Sequence, residues 1–281
     1  MRPTSRVVPV LLALLLVTFT PALKADQPTS CKPGVVFQNG DVRVWFQGKK
    51  DLFKVFDANG SDDAGGSRYQ YQARAIEERD AEGNVVATMN LERAFPQTSS
   101  CAVTTEGGFV NMSLLVTDSL EGRAGEATVG FTFHFDTSSH GGKFDLDVAR
   151  WPWAPGENHT LDFGFALDAS GWSVEPAGDG VGFRDSNGTA HGYVSWAPNA
   201  TARYADGHEE NATVNGTVAA AGSHADVSLA FTNVTSGYDE LVYDPWMGSG
   251  DYLVVAGHLV GLAPVEDALP RGLTGSLHAL L

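Results

Sequence analysis

The stretch ATVGFTFHFDTSSHGGKFDLDVARWPW, residues 127–153, decides the fold class. Val129, Phe131, Phe133 and Phe135 alternate with Thr128, Gly130, Thr132 and His134, and Phe144, Leu146 and Val148 alternate with Asp145 and Asp147. A period of two puts each set on its own side of a pleated strand, so both runs read as strands with one dry and one wet face. His140-Gly141-Gly142 between them reads as a hairpin turn. Past Val148 the pattern divides. Parity places Trp151 and Trp153 with Asp145 and Asp147 on the wet face, where the pair would offer flat apolar surface to a ligand. Pro152, which cannot donate to a ladder, instead favours a strand end, with a bulge near Arg150 turning the indoles into a largely buried corner.

The same alternation recurs in TLDFGFALD (160–168) and ADVSLAFTN (225–233). Further strands are expected over 41–47, 52–56, 68–77, 85–89, 109–117, 191–196, 241–243 and 252–255, with Glu82-Gly83-Asn84 as another hairpin turn; only 76–80 hints at helix. A dozen or more short strands punctuated by many of the 32 glycines imply an all-β fold, a two-sheet antiparallel β-sandwich of jelly-roll-like kind. No linker, charge block or repeat divides residues 26–281, which read as a single domain.

Residues 1–25 have the form of a secretory signal peptide: Arg2 and Arg6, an apolar run from Val7 to about Val17, and Ala25 at a cleavage point. The run is shorter than the about 20 apolar residues of a spanning helix. Eight of the eleven asparagines stand in N-x-S/T sequons, far above chance: Asn59, Asn111, Asn158, Asn187, Asn199, Asn211, Asn215 and Asn233. Together these point to a secreted or cell-surface glycoprotein with no membrane insertion of the mature chain. Cys31 and Cys101 have only one way to pair in an oxidising compartment, closing a loop that would contribute about 4 kcal/mol in the chain-entropy model. The net charge of −16 becomes −19 once Arg2, Arg6 and Lys24 leave with the signal, which disfavours nucleic acid and anionic membranes as partners.

Chemistry-bearing constellations are sparse. In DANGSDD, Asp57, Asn59, Ser61 and Asp63 have the odd-position spacing of a calcium loop, but Asp62 replaces the turn glycine and Arg68 the closing glutamate, so a plain acidic loop is the simpler reading. None of the eight histidines falls in an H-x-H or H-E-x-x-H zinc pattern, and no G-x-S-x-G or phosphate loop occurs. No cofactor is therefore expected, with calcium as the one alternative. Asp239, Glu240 and Asp244 in YDELVYDPWMG could supply the carboxylate pair of a polysaccharide-active enzyme. Trp151, Trp153, Tyr243, Asp244 and Trp246 are the candidate binding residues, aromatic faces and acids of the kind that take sugar rings and hydroxyls, although each tryptophan taken singly is as well explained by core packing. The leading expectation is a non-catalytic protein of recognition or of the cell envelope, with carbohydrate or another surface protein as partner.

Three segments carry a resemblance: VWFQGKKDLFKVF (44–56), KFDLDVARWPW (143–153) and DELVYDPWMG (239–248). In order and spacing, over most of residues 26–281, they resemble a family of uncharacterised exported proteins of archaea and some unicellular eukaryotes. The resemblance implies a shared sandwich fold, and it supplies no catalytic or binding residues to carry over.

Overall fold

A computed structural model describes residues 36–39, 42–46, 53–57, 68–93, 99–106, 109–136, 141–156, 158–249, 252–255 and 258–261. Residues 1–25, Cys31, and Asn59, Ser61 and Asp63 of the acidic stretch 57–63 lie outside them. The chain forms β1 (Val36–Asn39), β2 (Val42–Phe46), β3 (Phe53–Asp57), β4 (Arg68–Arg79), β5 (Val85–Asn90), β6 (Ser99–Glu106), β7 (Phe109–Ser119), β8 (Glu126–Asp136), β9 (Gly141–Ala149) and β10 (Thr160–Ser170). There follow β11 (Ser173–Pro176), β12 (Gly180–Arg184), β13 (Ala190–Ser195), β14 (Asn199–Arg203), β15 (Glu209–Ala221), β16 (His224–Thr232), β17 (Glu240–Tyr243), β18 (Trp246–Ser249), β19 (Tyr252–Val255) and β20 (His258–Gly261). Residues 76–79, where the sequence hints at helix, continue strand β4 instead, because Ile76 and Glu78 face inward in a ladder with β10 and β5.

The architecture is the expected all-β sandwich, with every pairing antiparallel. One layer runs β6-β7-β8-β9-β17-β14-β15. The other has β4 between β10 and its two outer neighbours β3 and β5, and continues through β16 to β15. Strand β15 belongs to both layers: residues 209–213 pair with β14 and residues 213–221 with β16. Hairpin connections account for much of the topology, and the long-range pairings β4–β10, β10–β16 and β9–β17 close it.

Between the layers lies an aromatic core. Phe131 of β8 meets Phe163 of β10 at 5.9 Å, Phe144 of β9 meets Tyr71 of β4 edge-on at 5.3 Å, and Tyr243 of β17 meets Phe231 of β16 edge-on at 5.3 Å. Tilted and edge-to-face rings gain quadrupole attraction on top of their large buried area, so these contacts set the layer spacing. The apolar sets read from the sequence, including Val129, Phe131 and Phe133, Phe144, Leu146 and Val148, Leu161, Phe163, Phe165 and Leu167, and Val227, Leu229 and Phe231, are all in this core.

Strand β9 is the meeting point of several strands. On one side it pairs throughout with β8; on the other its C-terminal half pairs with β17 and its N-terminal half with β18. The change of partner falls at Asp244-Pro245. Pro245 has no N–H to give, but its carbonyl accepts from the Phe144 N–H at 3.2 Å, so the ladder resumes beyond the kink. Segments 143–149 and 240–248 are thus laid side by side.

Candidate functional site

The inward side of β8, β9 and β17 fills the core, and the outward side carries the polar residues that alternate with it. Register gives their order across the strands. His134 of β8, Lys143 of β9 and Trp246 of β18 form one row; Thr132 and Asp145 begin the next; Gly130, Asp147, Val242, Thr201 and Asn211 form a third, running from β8 to β15. Leu115 of β7 pairs with Gly130 and is 48% exposed, and Trp246 is 52% exposed, the one exposed aromatic ring among the described side chains. The Asp244-Pro245 kink brings Trp246 back onto the β9 ladder, where its cross-strand partner is the half-buried Lys143.

Two charge clusters lie on this face. In the first, Lys143 Nζ stands 3.0 Å from Asp145 Oδ1 and 3.0 Å from Asp244 Oδ2, while His134 Nε2 is 2.8 Å from Asp145 Oδ2. Burial pushes the Asp145 carboxyl up, but the hydrogen bonds from His134 and Lys143 outweigh it and hold Asp145 below the ordinary carboxylate range. In the second, Arg203 of β14 donates to Glu240 at 2.7 Å and to Glu209 at 2.9 Å. Asp147, diagonal to Glu240, is pushed up to about 6, first by burial and then by the neighbouring Glu240 charge and a hydrogen bond to it. Asp147 is therefore the acid of this face that keeps its proton toward pH 6, whereas Asp145 ionises more readily than an ordinary carboxyl.

The sequence-predicted residues separate into three groups. Trp246 and Asp244 share this face. Tyr243, one residue before the kink, points inward, is 1% exposed, and donates its hydroxyl to the Ala197 carbonyl at 3.3 Å. Trp151 is also a core residue at 5% exposure, so neither it nor Tyr243 offers a ring to solvent. The reason for Trp151 lies at Arg150, whose φ of +57° is the left-handed conformation that breaks strand parity. The Arg150 side chain hydrogen-bonds Thr128, and its N–H still reaches the Asp239 carbonyl at 2.9 Å before the chain turns inward. Trp153 is half-buried, edge-on to Tyr238 at 4.7 Å, with its indole N–H donating to the Tyr238 carbonyl at 3.0 Å.

What receives the inward corner is Glu78 of β4, which is fully buried. Its carboxylate accepts from the Trp151 indole N–H at 2.9 Å and the Ala154 N–H at 2.7 Å, and contacts His159 Nδ1 at 2.6 Å; Arg123 lies 3.6 Å away. Two glycines make room: a Cβ on Gly125 would meet Pro152 at 2.8 Å, and one on Gly156 would meet His159 at 2.6 Å. This satisfied buried carboxylate is a structural hub that fixes the corner.

Of the acids considered for catalysis, Glu240 belongs to the Arg203–Asp147 cluster, Asp244 to the Lys143–Asp145 cluster, and Asp239 is exposed on the turn before β17. His134, Lys143, Asp145, Asp147 and Arg203 carry no sequence motif that singles them out. Asp145 and Asp147 were visible as the wet half of the KFDLDV alternation, but their proximity to Glu240 and Asp244 depends on the β9–β17 pairing, which spans about ninety residues of chain. The six sequon asparagines whose side chains are described, Asn158, Asn187, Asn199, Asn211, Asn215 and Asn233, are all exposed, and Asn111 stands opposite His134 in the ladder. No protein-family model matches the sequence, and no curated protein matches it.

Proposed function

We propose that the chain is an exported, N-glycosylated protein that binds carbohydrate, without catalysis, on the outer face of the β8-β9-β17 layer. The observation that carries this reading is Trp246: a large indole exposed on a rigid strand, beside one cation and two carboxylates already held in place by their own pairing. An indole face takes the C–H side of a sugar ring, carboxylates accept from sugar hydroxyls, and Lys143 donates. Groups fixed in advance by a ladder and by ion pairs lose little entropy on binding. The signal-like residues 1–25 and the density of sequons support the exported setting. The strongly acidic chain favours neutral glycans over sulfated or uronic ones.

The raised Asp147 gives the polysaccharide-active alternative its one specific observation. It fits poorly, because Glu240, the acid beside it, is already engaged by the Arg203 guanidinium at 2.7 Å. A glycan array probed with the purified mature protein, with and without calcium, tests the proposal. Calcium-independent binding to a defined class of neutral glycans is expected. Silence across the array would overturn carbohydrate recognition and favour a purely structural envelope role.

A further inference from the structure

A polar groove of about 720 Å³ opens between the segment leading into β10 and the turn between β16 and β17. Five of its lining residues belong to two sequons: Asn158 and Thr160 on one side, and Asn233, Val234 and Thr235 on the other. Both asparagines adopt left-handed backbone conformations, with φ of +64° and +56°. Their side chains differ. The Asn233 amide donates to Thr213 Oγ1 at 3.1 Å and is drawn toward β15, whereas the exposed Asn158 side chain makes no hydrogen bond among the described residues.

Glu210 completes the polar wall. It accepts from the Tyr204 hydroxyl at 2.8 Å, the Thr235 N–H at 2.9 Å and the Thr235 hydroxyl at 3.4 Å, with His208 Nε2 at 3.6 Å, so of the about four acceptor positions of an ionised carboxylate one is left for a sugar hydroxyl. The groove is within the about 300–1,000 Å³ typical of small-ligand sites, but its lining is of hydroxyls, amides and a carboxylate rather than apolar rings. That is a surface suited to sugar. A sugar chain attached at the rim is present in the groove at an effective concentration on the order of millimolar, so even a weak contact is occupied, and a free ligand has to displace it.

We infer that the N-linked glycan of Asn158 folds back into this groove and lies against the Asn233–Ser236 turn, so that the site is filled by the protein's own glycan. This rests on the exported-glycoprotein reading. It leaves external recognition to the Trp246 face and makes the Asn158 glycan a further strap between two segments already joined at the Leu161–Phe231 end of the β10–β16 ladder and at Trp153–Tyr238.

The test uses the unaltered mature protein from a host that attaches N-linked glycans, digested with a glycan-releasing enzyme first under native and then under denaturing conditions. Mass spectrometry follows each site. The expected result is that Asn187 and Asn199, on exposed turn and strand-end positions, are stripped under native conditions, while Asn158 is released at least tenfold more slowly and catches up on denaturation. Hydrogen exchange at 233–236 should quicken once the Asn158 glycan is finally removed. An Asn158 glycan lost as fast as that of Asn187, or an empty Asn158 beside occupied neighbours, overturns the strap alone. No glycan at any of the eight sequons overturns both the strap and the glycoprotein reading beneath it.

Discussion

Trp151 and Trp246 stand at opposite ends of the same strand. Trp246 is the cross-strand partner of Lys143 near the start of β9, and Trp151 follows two residues after its end. Each has a proline neighbour and each belongs, by sequence, to a segment of acids and aromatics. One is buried against a carboxylate that accepts its N–H, and the other is half exposed. The difference comes from the backbone. At Pro245 the ladder bends and resumes, so Trp246 keeps the outward place that its pairing with Lys143 assigns. At Arg150 a left-handed residue ends the alternation and turns the next indole inward. Alternation is a reliable guide to exposure only while the ladder that produces it is continuous.

That contrast is open to attack by substitution. The largest effect is expected from Trp151→Ala, which empties a core site and leaves Glu78 short of a donor; a loss of about 3–5 kcal/mol should appear as a lower denaturant midpoint. Glu78→Gln is expected to cost about 2–3 kcal/mol, since an amide cannot accept from all of Trp151, Ala154 and His159 at once. If Glu78→Gln is neutral, the hub does not fix the corner.

Asp147→Asn should act in the opposite direction. Its folded pKa is raised from 3.8 to about 6, so the folded state holds a proton that the unfolded chain releases first, and stability falls as pH climbs from about 4 to about 6. The variant should flatten that slope and gain roughly 1 kcal/mol at pH 7.5, after allowing for partial solvent screening. Thermal melts of both proteins across pH 4–8 measure it; parallel curves would contradict the raised Asp147 pKa. The smallest effect on stability belongs to Trp246→Ala, within about 0.5 kcal/mol, as befits an exposed ring.

The fold was legible because strands such as 127–136, 160–168 and 225–233 alternate cleanly, with aromatic residues on the dry side. The site was only half legible. Trp246 and Asp244 stood out by type, and Asp145 and Asp147 by parity, but nothing local says that β9 pairs with β17 and β18 or that Lys143 bridges Asp145 and Asp244. Such pairings are set by how the whole core closes. Tyr243 shows a related limit: Asp244 beside it faces outward, while its own place in β17 points it at Phe231. For Trp151, the sequence named both outcomes and the proline hinted at the buried one, yet the decisive left-handed turn at Arg150 is a conformation that a non-glycine residue does not announce.

The central claim, that the Trp246 face binds carbohydrate, meets its most direct test in titration calorimetry of the strongest array ligand against the mature protein and its Trp246→Ala variant, with melting temperature recorded for both. The account predicts unchanged melting and at least a tenfold loss of affinity. Equal affinity in an equally stable variant would contradict it.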